Sequence, residues 1–342
     1  MKIDRLKFQK ALEIVKPGLA TKELIEQSTS FAFTQGRVFT YNDEISVSHP
    51  IEGLELEGAI QANELYEFLN KVKTDEVEYE QKGSEIVFSA KRSRAGFTLQ
   101  SEIKLPLKEE IGEIDDWKKL PERFLSHIDF VIGACANDMS RPILTCIHVN
   151  KEGIIEGSDN HRLARCTLGE KMPVNTFLFP ASVCPDIRKI NPIHISMGKG
   201  WVHFKNEQET ILSCRIYLGE EYPKTEHLLN VQGVKVTLPK TAREMLERAM
   251  VFSKRKFILD ESVTVTIDNN RLKMEAKSEY GWFEEEVNML YEGEKIQFVV
   301  APCLMKDILE KTDECTIRND NRMLLFEKDD WKYVTALKML NK

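Results

Sequence analysis

The residues with the greatest potential for chemistry form one short polar run, Ser158-Asp159-Asn160-His161-Arg162. An aspartate two positions before a histidine can tune an imidazole for acid–base catalysis. No nucleophile partner or metal-ligand spacing accompanies this run in the nearby sequence. Three interpretations therefore stay open: a catalytic pair, a plain structural turn, and a turn that binds a partner. The third is favoured.

Two short apolar segments flank the run and must position it. Ile154-Ile155 precedes it and Leu163-Ala164-Arg165-Cys166 follows it, and both segments are typical of β-strands. Because a polar run between two strands is expected to reverse the chain, the sequence predicts a tight turn here.

The sequence lacks the motifs of common enzyme and metal sites. It contains no P-loop, dinucleotide-binding glycine turn, zinc-protease helix or nucleophile elbow. Its seven cysteines are scattered without a CxxC pair, which favours buried thiols in a reducing cytosol. We therefore expect a protein without catalytic residues, bound metal or cofactor.

Length and composition are those of a globular protein with more than one core. The 342 residues are 42% hydrophobic and 30% charged. The apolar runs are too short to cross a membrane and the N-terminus has no signal-like core, so we expect a cytoplasmic protein. The net charge of −7 does not exclude nucleic-acid binding, which depends on where the basic residues lie.

Amphipathic helices recur at nearly constant spacing along the chain. Phe8, Phe124 and Ala242 begin three apolar faces and lie 116 and 118 residues apart. The faces consist of Phe8, Ala11, Leu12 and Val15; of Phe124, Ile128, Val131 and Ile132; and of Ala242, Met245, Leu246 and Ala249.

A second marker recurs, in which a short apolar strand runs into another helix. Its anchors Ala62, Pro180 and Ala301 lie 118 and 121 residues apart. Strands joined by tight turns follow each helix, with Gly or Asn where a positive φ is expected. These turns are Lys82-Gly83-Ser84, Gly198-Lys199-Gly200 and Asn319-Asp320-Asn321.

The repeat predicts an α+β fold with three domains, at residues 1–117, 118–231 and 232–342. Each domain is expected to hold two helices and antiparallel sheets. A helix-plus-strands unit would then occur twice per domain and six times in the chain. Neither linker is rich in Pro or Ser, which favours rigid packing of the domains.

The polar turn also carries a resemblance to a known family. The stretch from Ser158 to Ala164 resembles the Ser/Thr-Asp-Gly-His-Arg-Leu-Ala signature of the bacterial DNA polymerase III β subunit, the sliding clamp. Other segments are similar to that family in the same order, and the resemblance covers essentially the whole chain. These segments are Ile114-Asp115-Asp116-Trp117, Glu221-Tyr222-Pro223, Ser253-Lys254-Arg255-Lys256-Phe257 and Tyr333-Val334.

The resemblance implies a DNA clamp fold that closes into a ring as a head-to-tail homodimer. Such a ring is a processivity factor and not an enzyme. It encircles double-stranded DNA without reading the sequence, is opened by a clamp loader and tethers the replicative DNA polymerase. Two departures, Asn160 in place of glycine and a C-terminal strand without the family's Met-Pro-Met-Arg run, indicate a divergent member. They are compatible with a phage or prophage origin and leave partner choice open.

The resemblance also implies a peptide-binding pocket between the second and third domains. An apolar pocket with a few polar anchors suits a short linear motif of the QLxLF type. The matching residues are Leu144, Ser158, Asn160, His161, Arg162, Leu163, Pro223, His227, Leu228, Val334, Thr335, Ala336, Leu337 and Leu340.

Two further surfaces are expected. The six predicted helices carry a small excess of basic residues within an acidic chain, which favours a basic DNA-facing lining. Candidates for phosphate contact are Lys7, Lys10, Lys71, Arg123, Arg188, Lys189, Lys240, Arg243 and Arg248. For the subunit contact the resemblance places Phe97 and Leu99 of one chain against Val251 and Phe252 of the other. Arg92 and Arg94 would then face the acidic run Glu284, Glu285 and Glu286.

Two alternatives remain beside the clamp. One is a monomeric clamp-like scaffold that keeps the pocket without forming a ring, and the mass in solution distinguishes it. The other is an enzyme that uses Asp159 and His161, and an unchanged activity after His161→Ala would contradict it.

Overall fold

The structure is a computed structural model and describes residues 1–339. Its elements repeat one order six times: a strand, a helix and three further strands. In the sixth copy, 3-10 turns at Pro302–Leu304 and Ile308–Glu310 take the place of the α-helix. This order confirms the predicted helix-plus-strands unit in five copies and corrects the α-helix expected in the sixth.

The elements fall into three successive groups. The first group is β1 (Lys2–Asp4), α1 (Arg5–Val15), β2 (Ser30–Thr34), β3 (Arg37–Tyr41), β4 (Ile45–Pro50), β5 (Gly58–Gln61), α2 (Ala62–Lys71), β6 (Glu76–Lys82), β7 (Glu85–Ala90) and β8 (Ser93–Thr98). The second is β9 (Lys118–Lys119), α3 (Phe124–Val131), β10 (Cys146–Val149), β11 (Ile154–Ser158), β12 (Arg162–Thr167), β13 (Phe177–Pro180), α4 (Cys184–Ile190), β14 (His194–Met197), β15 (Trp201–Lys205) and β16 (Ile211–Arg215). The third is α5 (Glu226–Leu229), β17 (Gly233–Thr237), α6 (Ala242–Ser253), β18 (Val263–Asp268), β19 (Arg271–Lys277), β20 (Trp282–Asn288), β21 (Ile296–Val300), β22 (Glu314–Arg318), β23 (Met323–Lys328) and β24 (Trp331–Ala336).

The chain divides into two compact units. The first comprises Met1–Leu125, Asn150–Glu152 and Lys171–Gly219. It contains a four-stranded sheet in the order β1-β6-β7-β8 and an eight-stranded sheet in the order β5-β2-β3-β4-β16-β15-β14-β9. The pairs of these two sheets are antiparallel, and the two-residue strand β9 closes the larger sheet by pairing with β14.

The helix α1 shows how the sequence builds the core of this first unit. The Asp4 side chain caps the helix by accepting a hydrogen bond from the backbone N–H of Lys7 at 2.9 Å. The predicted apolar face, which includes Phe8, is buried. The Phe8 ring packs against Phe33 and Phe88, each with 6.0 Å between ring centroids.

The second unit comprises Ser126–Val149, Gly153–Glu170 and the chain from Glu220 onward. One sheet has the order β20-β19-β18-β21, and in the other the strands β10-β11-β12-β24-β23-β22-β17 are neighbours in that order. Helix α6 buries the predicted face that begins at Ala242 and packs on β18, β19 and β20. This face confirms the third predicted helix.

The predicted tight turns are present in the left-handed backbone region. The φ angles are 63° at Gly83, 82° at Gly200 and 54° at Asn321. Glycine has no Cβ to clash there, and asparagine tolerates the conformation better than most residues. These turns confirm the predicted positions at which the chain reverses direction.

The compact units do not coincide with the three predicted domains, because sheets cross the predicted boundaries. Strand β4 pairs with β16, and β12 pairs with β24. Each pair joins residues from two neighbouring repeats in one continuous sheet. The domain limits after residues 117 and 231 therefore stay a prediction.

Candidate functional site

The polar run between β11 and β12 forms a hairpin turn, as predicted. The Asp159 Oδ1 atom accepts hydrogen bonds from the backbone N–H of His161 at 2.9 Å and of Arg162 at 3.0 Å. Asn160 lies in the left-handed region with a φ of 72°. The Ser158 hydroxyl donates to the Arg162 carbonyl at 2.8 Å, so side chains close the turn from both sides.

Arg162 is a mostly buried cation held by the same aspartate. Its Nε donates to Asp159 Oδ2 at 2.9 Å. Burial lowers the pKa of Arg162, but Tyr333 and Asp159 favour its charged form, and the net effect raises the pKa above its ordinary value. The Asp159 carboxylate thus accepts hydrogen bonds from the backbone and from Arg162. In a catalytic acid–base pair it would instead accept a hydrogen bond from the His161 ring.

Beside this turn the second unit contains a cavity of about 350 Å³. The walls come from the residues before β10, from the hairpin turn and the start of β12, from α5 and the stretch before it, and from β23 and β24. Its lining consists of Arg141, Leu144, Ser158, Asn160, His161, Arg162, Leu163, Tyr222, Pro223, Lys224, Thr225, His227, Leu228, Met323, Val334 and Ala336.

The floor of the cavity is apolar. Leu163 and Val334 lie in neighbouring strands and belong to one buried cluster. Leu228 and Met323 are partly buried and pack against this cluster from the cavity side. An apolar floor with polar groups at the rim suits a short peptide that inserts bulky apolar side chains.

Most of the predicted pocket residues come together in this lining. Strand alternation explains the exceptions: Val334 and Ala336 face the cavity, whereas Thr335 points to the opposite face and is fully buried. Leu337 is also buried outside the lining. Leu340 lies outside the described residues.

Five lining residues were missed by the sequence analysis. Tyr222, Lys224 and Thr225 surround the predicted Pro223, so the segment was found but its neighbours were not included. Met323 faces Ala336 across the β23–β24 pair, a register that no local pattern in the sequence indicates. The fifth missed residue is Arg141.

A buried ionic network fastens the wall segment that carries Thr225. The Glu156 carboxylate accepts hydrogen bonds from Arg165 Nε at 2.7 Å and from the Thr225 hydroxyl at 2.5 Å. Arg165 Nη2 also donates to the Thr225 hydroxyl at 2.7 Å. Burial raises the pKa of Glu156, but hydrogen bonds from His148 and Thr225 and the charge of Arg165 hold it below its ordinary value. The wall is therefore tied to β11 and β12 through charged groups.

Tyr222 continues this wall as a neutral aromatic surface. Its ring stacks on His148 with 4.7 Å between centroids, and His148 Nδ1 lies 3.1 Å from Glu156 Oε2. Burial raises the pKa of Tyr222. The phenol therefore stays protonated, and its ring adds apolar area to the cavity.

The predicted DNA-contact residues lie on or beside helices. The Arg243 guanidinium contacts Glu247 and Glu310, and Arg248 forms two hydrogen bonds of 2.7 Å to Glu285. These two arginines are therefore less available for phosphate. The other candidates are exposed: Lys7 and Lys10 on α1, Lys71 at the end of α2, Arg123 before α3, Arg188 and Lys189 in the last turn of α4, and Lys240 before α6.

The predicted subunit-contact residues lie at two sheet edges. Within residues 1–339, β8 pairs only with β7 and β20 only with β19, so each strand has one unpaired edge. Arg94 is exposed and Phe97 is half-buried, both on β8. Beside this strand, Arg92 is exposed and Leu99 is a core residue with 2% exposure. Leu99 therefore belongs to the core next to this edge and not to its exposed surface.

The β20 side of this predicted contact is aromatic and acidic. Val251 is 66% exposed, and Phe252 stacks on Phe283. Tyr280 and Trp282, exposed by 97% and 70%, stand at the start of the edge and were missed by the sequence analysis. The acidic residues already have partners within the chain: Glu284 with Lys273, Glu285 with Arg248 and Glu286 with Arg271.

The described part of the chain contains no cluster of three or more His, Cys, Asp or Glu side chains able to hold a metal ion. Six of the seven cysteines are buried and all are free thiols. Among residues 1–339, no helix is both long and apolar enough to cross a bilayer.

The arrangement of sheets and helices is that of the DNA sliding clamps. The DNA polymerase III subunit beta from Pseudomonas aeruginosa has a TM-score of 0.85 and 20% identity, covering 99% of this chain and 100% of that chain. The beta subunit from DNA polymerase of Streptococcus pyogenes has a TM-score of 0.85 and 18% identity, with 99% of both chains covered. The Bacillus subtilis DNA polymerase sliding clamp has a TM-score of 0.82 and 17% identity, again with 99% of both covered.

These likenesses confirm the predicted fold class, an α+β DNA clamp fold, and at this identity they establish the fold alone. No protein-family model matches the sequence, and no curated protein matches it.

Proposed function

We propose that the chain is a DNA sliding clamp, a processivity factor that encircles duplex DNA and tethers a replicative DNA polymerase. The observation that carries the proposal is the clamp fold, which extends over 99% of the chain. The chain would form three domains with limits after residues 117 and 231. It would act in the cytoplasm as a binding protein, without a catalytic step.

A head-to-tail homodimer would close the ring through the two unpaired strand edges. Strand β8 of one chain would pair with β20 of its partner, which covers backbone groups that otherwise invite unspecific pairing. When two different surfaces of identical subunits form the contact, each copy is rotated by a fixed angle relative to the previous one. The ring closes when a whole number of these rotations makes a full turn. The exposed Val251 and Trp282 would supply apolar area beside the paired strands.

The exposed basic residues of the helices would contact phosphates without reading base sequence. Lys7 and Lys10 lie three residues apart and share one exposed side of α1. Lysine contacts to phosphate are sequence-independent and weaken as salt rises. Such contacts permit sliding, because no position on the duplex is preferred.

The cavity beside the hairpin turn would receive short peptide segments of the polymerase and of the clamp loader. Its apolar floor would take bulky side chains of a QLxLF-type motif, and Arg162 and Asn160 would lie at its polar rim. One pocket of this kind explains how a ring without a catalytic site recruits several partners in turn.

The solution mass and the retention on DNA test this proposal together. Light scattering is expected to give a species of twice the chain mass of 39.5 kDa. The protein, loaded with its loader or by transient opening, should remain on a closed circular duplex and leave the same duplex once it is linearised. A ring that is linked topologically to DNA is lost only where the duplex has free ends, so this difference in retention identifies such a link.

Two results would overturn parts of the proposal. A species that stays at 39.5 kDa at every concentration and in the presence of DNA would favour a monomeric clamp-like scaffold. Equal retention on circular and linear duplexes would show ordinary binding and remove the sliding role.

A further inference from the structure

We propose that the cavity selects peptides that carry carboxylates beside their apolar anchors, with Lys224 as a residue that determines this specificity. The inference rests on the proposed function, because it takes the cavity as the site of partner peptides. It goes further by naming the charge of the partner segment. The preferred occupant is an acidic peptide with two or three bulky apolar side chains.

The lining of the cavity has charge of one sign. Of its sixteen described residues none is Asp or Glu, whereas Arg141, Arg162 and Lys224 are cationic. Arg162 is already matched by Asp159 beneath the turn. The unmatched positive charge therefore comes from Arg141 and Lys224, both exposed at the rim.

The rim cations have free capacity for a ligand. Arg141 Nη1 donates to Asn160 Oδ1 at 2.8 Å, which is the one hydrogen bond of its guanidinium in the described structure. The guanidinium has five N–H donors in a planar fork that suits a carboxylate. Within residues 1–339, the Lys224 ammonium forms no ion pair.

The carboxylates closest to this rim in the sequence are paired with other groups or lie outside the lining. Glu226 is held by Arg165 Nη1 at 2.5 Å, and Asp159 uses both oxygens on the turn and Arg162. Glu221 precedes the wall segment but does not line the cavity. A peptide that enters the cavity thus meets a positive rim above an apolar floor.

The size of the preference follows from solvent screening. An ion pair in water changes an equilibrium constant by at most about fivefold. At low salt, a peptide with two carboxylates would then bind roughly threefold to thirtyfold more tightly than a neutral peptide. Since the pairs are exposed, salt should reduce most of this difference, while the apolar contribution persists.

Three fluorescent peptides test the inference on the full chain. All share a Gln-Leu-Ser-Leu-Phe core, and their flanks carry two Glu, two Gly or two Lys residues. Fluorescence anisotropy at about 0.05 M and about 0.5 M salt gives the affinity of each. We expect the order acidic, neutral, basic at low salt and near-equal affinities at high salt. Lys224→Glu should remove or invert the order, whereas the control Lys295→Glu, an exposed lysine outside the lining of the same unit, should preserve it.

The outcomes separate this inference from the function on which it rests. Equal binding of the three peptides would overturn the charge preference and leave the peptide pocket in place. An acidic preference that survives Lys224→Glu would overturn the role of Lys224. Failure of all three peptides to bind would overturn the pocket itself and the preference with it.

Discussion

The carboxylate of Asp159 holds Arg162 at two points. Its Oδ1 accepts the backbone N–H of Arg162 at 3.0 Å, and its Oδ2 accepts the side-chain Nε at 2.9 Å. One residue therefore sets both the path of the hairpin turn and the direction of the guanidinium. Because Arg162 lines the cavity, the turn geometry and the pocket are coupled through this aspartate.

Replacing Asp159 by alanine should weaken both the fold and peptide binding. The change removes the acceptor of two backbone N–H groups and leaves the mostly buried Arg162 without its counter-charge. We expect a loss of about 1–3 kcal/mol in the free energy of unfolding and at least a tenfold loss in peptide affinity. Urea unfolding and fluorescence anisotropy measure the two quantities.

Asp138→Ala is the matched control for that substitution. Asp138 also accepts a backbone N–H, from Ser140 at 2.9 Å. Unlike Asp159, it forms no ion pair with a cavity-lining arginine within residues 1–339. Peptide binding should be unchanged in this variant. Equal losses in the two variants would mean that the Asp159 turn has no special role in the pocket.

The buried network behind the pocket wall predicts that two substitutions in it reduce folding stability by different amounts. Glu156→Ala leaves the Arg165 guanidinium, 11% exposed, without its main buried partner and should destabilise the fold by about 3–5 kcal/mol. Thr225→Val keeps the side-chain shape but removes two hydrogen bonds and should cost about 1–2 kcal/mol. Urea midpoints give both values. If Thr225→Val leaves stability and peptide affinity unchanged, the network does not hold the wall.

Local sequence patterns predicted the hairpin turn of this site, whereas the register of strand β24 could not be predicted from them. The turn could be predicted because Asp159, Asn160 and the flanking strands are neighbours in the chain and their preferences agree. Strand β24 was assigned to the pocket, but its alternation places Thr335 on the face away from the cavity. Only the register of the sheet decides which face is used.

The ionic network could not be predicted in the same way. Glu156 and Thr225 are 69 positions apart, and their hydrogen bond exists because two segments fold against each other. No periodic pattern connects them. The same holds for Arg248 and Glu285, which were assigned to two different surfaces and instead form a bidentate pair within the chain.

His203 predicts acid sensitivity of the first unit. The residue is 1% exposed, its Nδ1 lies 2.8 Å from the Ser213 hydroxyl, and burial lowers its pKa to about 4 from the ordinary 6.5. Between these values the unfolded chain binds more protons than the folded chain. The stabilisation from neutral His203 is therefore complete above pH 6.5 and is lost as the pH falls to about 4.

Unfolding should be measured at about pH 7.5, above that window, and at about pH 4.5, near its lower end. The two values should differ by up to about 3 kcal/mol of stability contributed by this residue. The His203→Asn variant should lose less stability than the unaltered chain between the two pH values. A packing defect in the variant lowers both measurements equally, so the difference isolates the titration. An unchanged pH slope would contradict the assignment.

Basic residues with and without an ion-pair partner in the chain should contribute differently to DNA binding. Lys10→Ala removes an exposed lysine and should lower the slope of log affinity against log salt by about 0.9 for one phosphate contact. Arg248→Ala removes a side chain engaged by Glu285 and should change that slope less. Binding to a short duplex over a salt series measures both. A larger effect of Arg248 would mean that its ion pair opens on DNA.

The two sheet edges predict substitutions that should dissociate the proposed dimer without unfolding the chain. Val251 is 66% exposed at the end of α6, so Val251→Glu should cost less than about 0.5 kcal/mol of folding stability. In the proposed dimer the same change buries an unpaired carboxylate beside β20 and should raise the dissociation constant at least tenfold. Light scattering over a concentration series measures the dissociation.

Two further variants decide whether the edge itself forms the contact. Trp282→Glu changes the aromatic residue that begins β20 and is 70% exposed, and it should dissociate the dimer in the same way. Leu24→Glu introduces the same charge at a 92% exposed apolar residue that belongs to neither β8 nor β20 and should leave the mass unchanged. If both edge variants remain dimeric, the subunits meet through another surface. Because each variant alters an exposed side chain, a loss of dimer with an unchanged urea midpoint can be attributed to the contact and not to the fold.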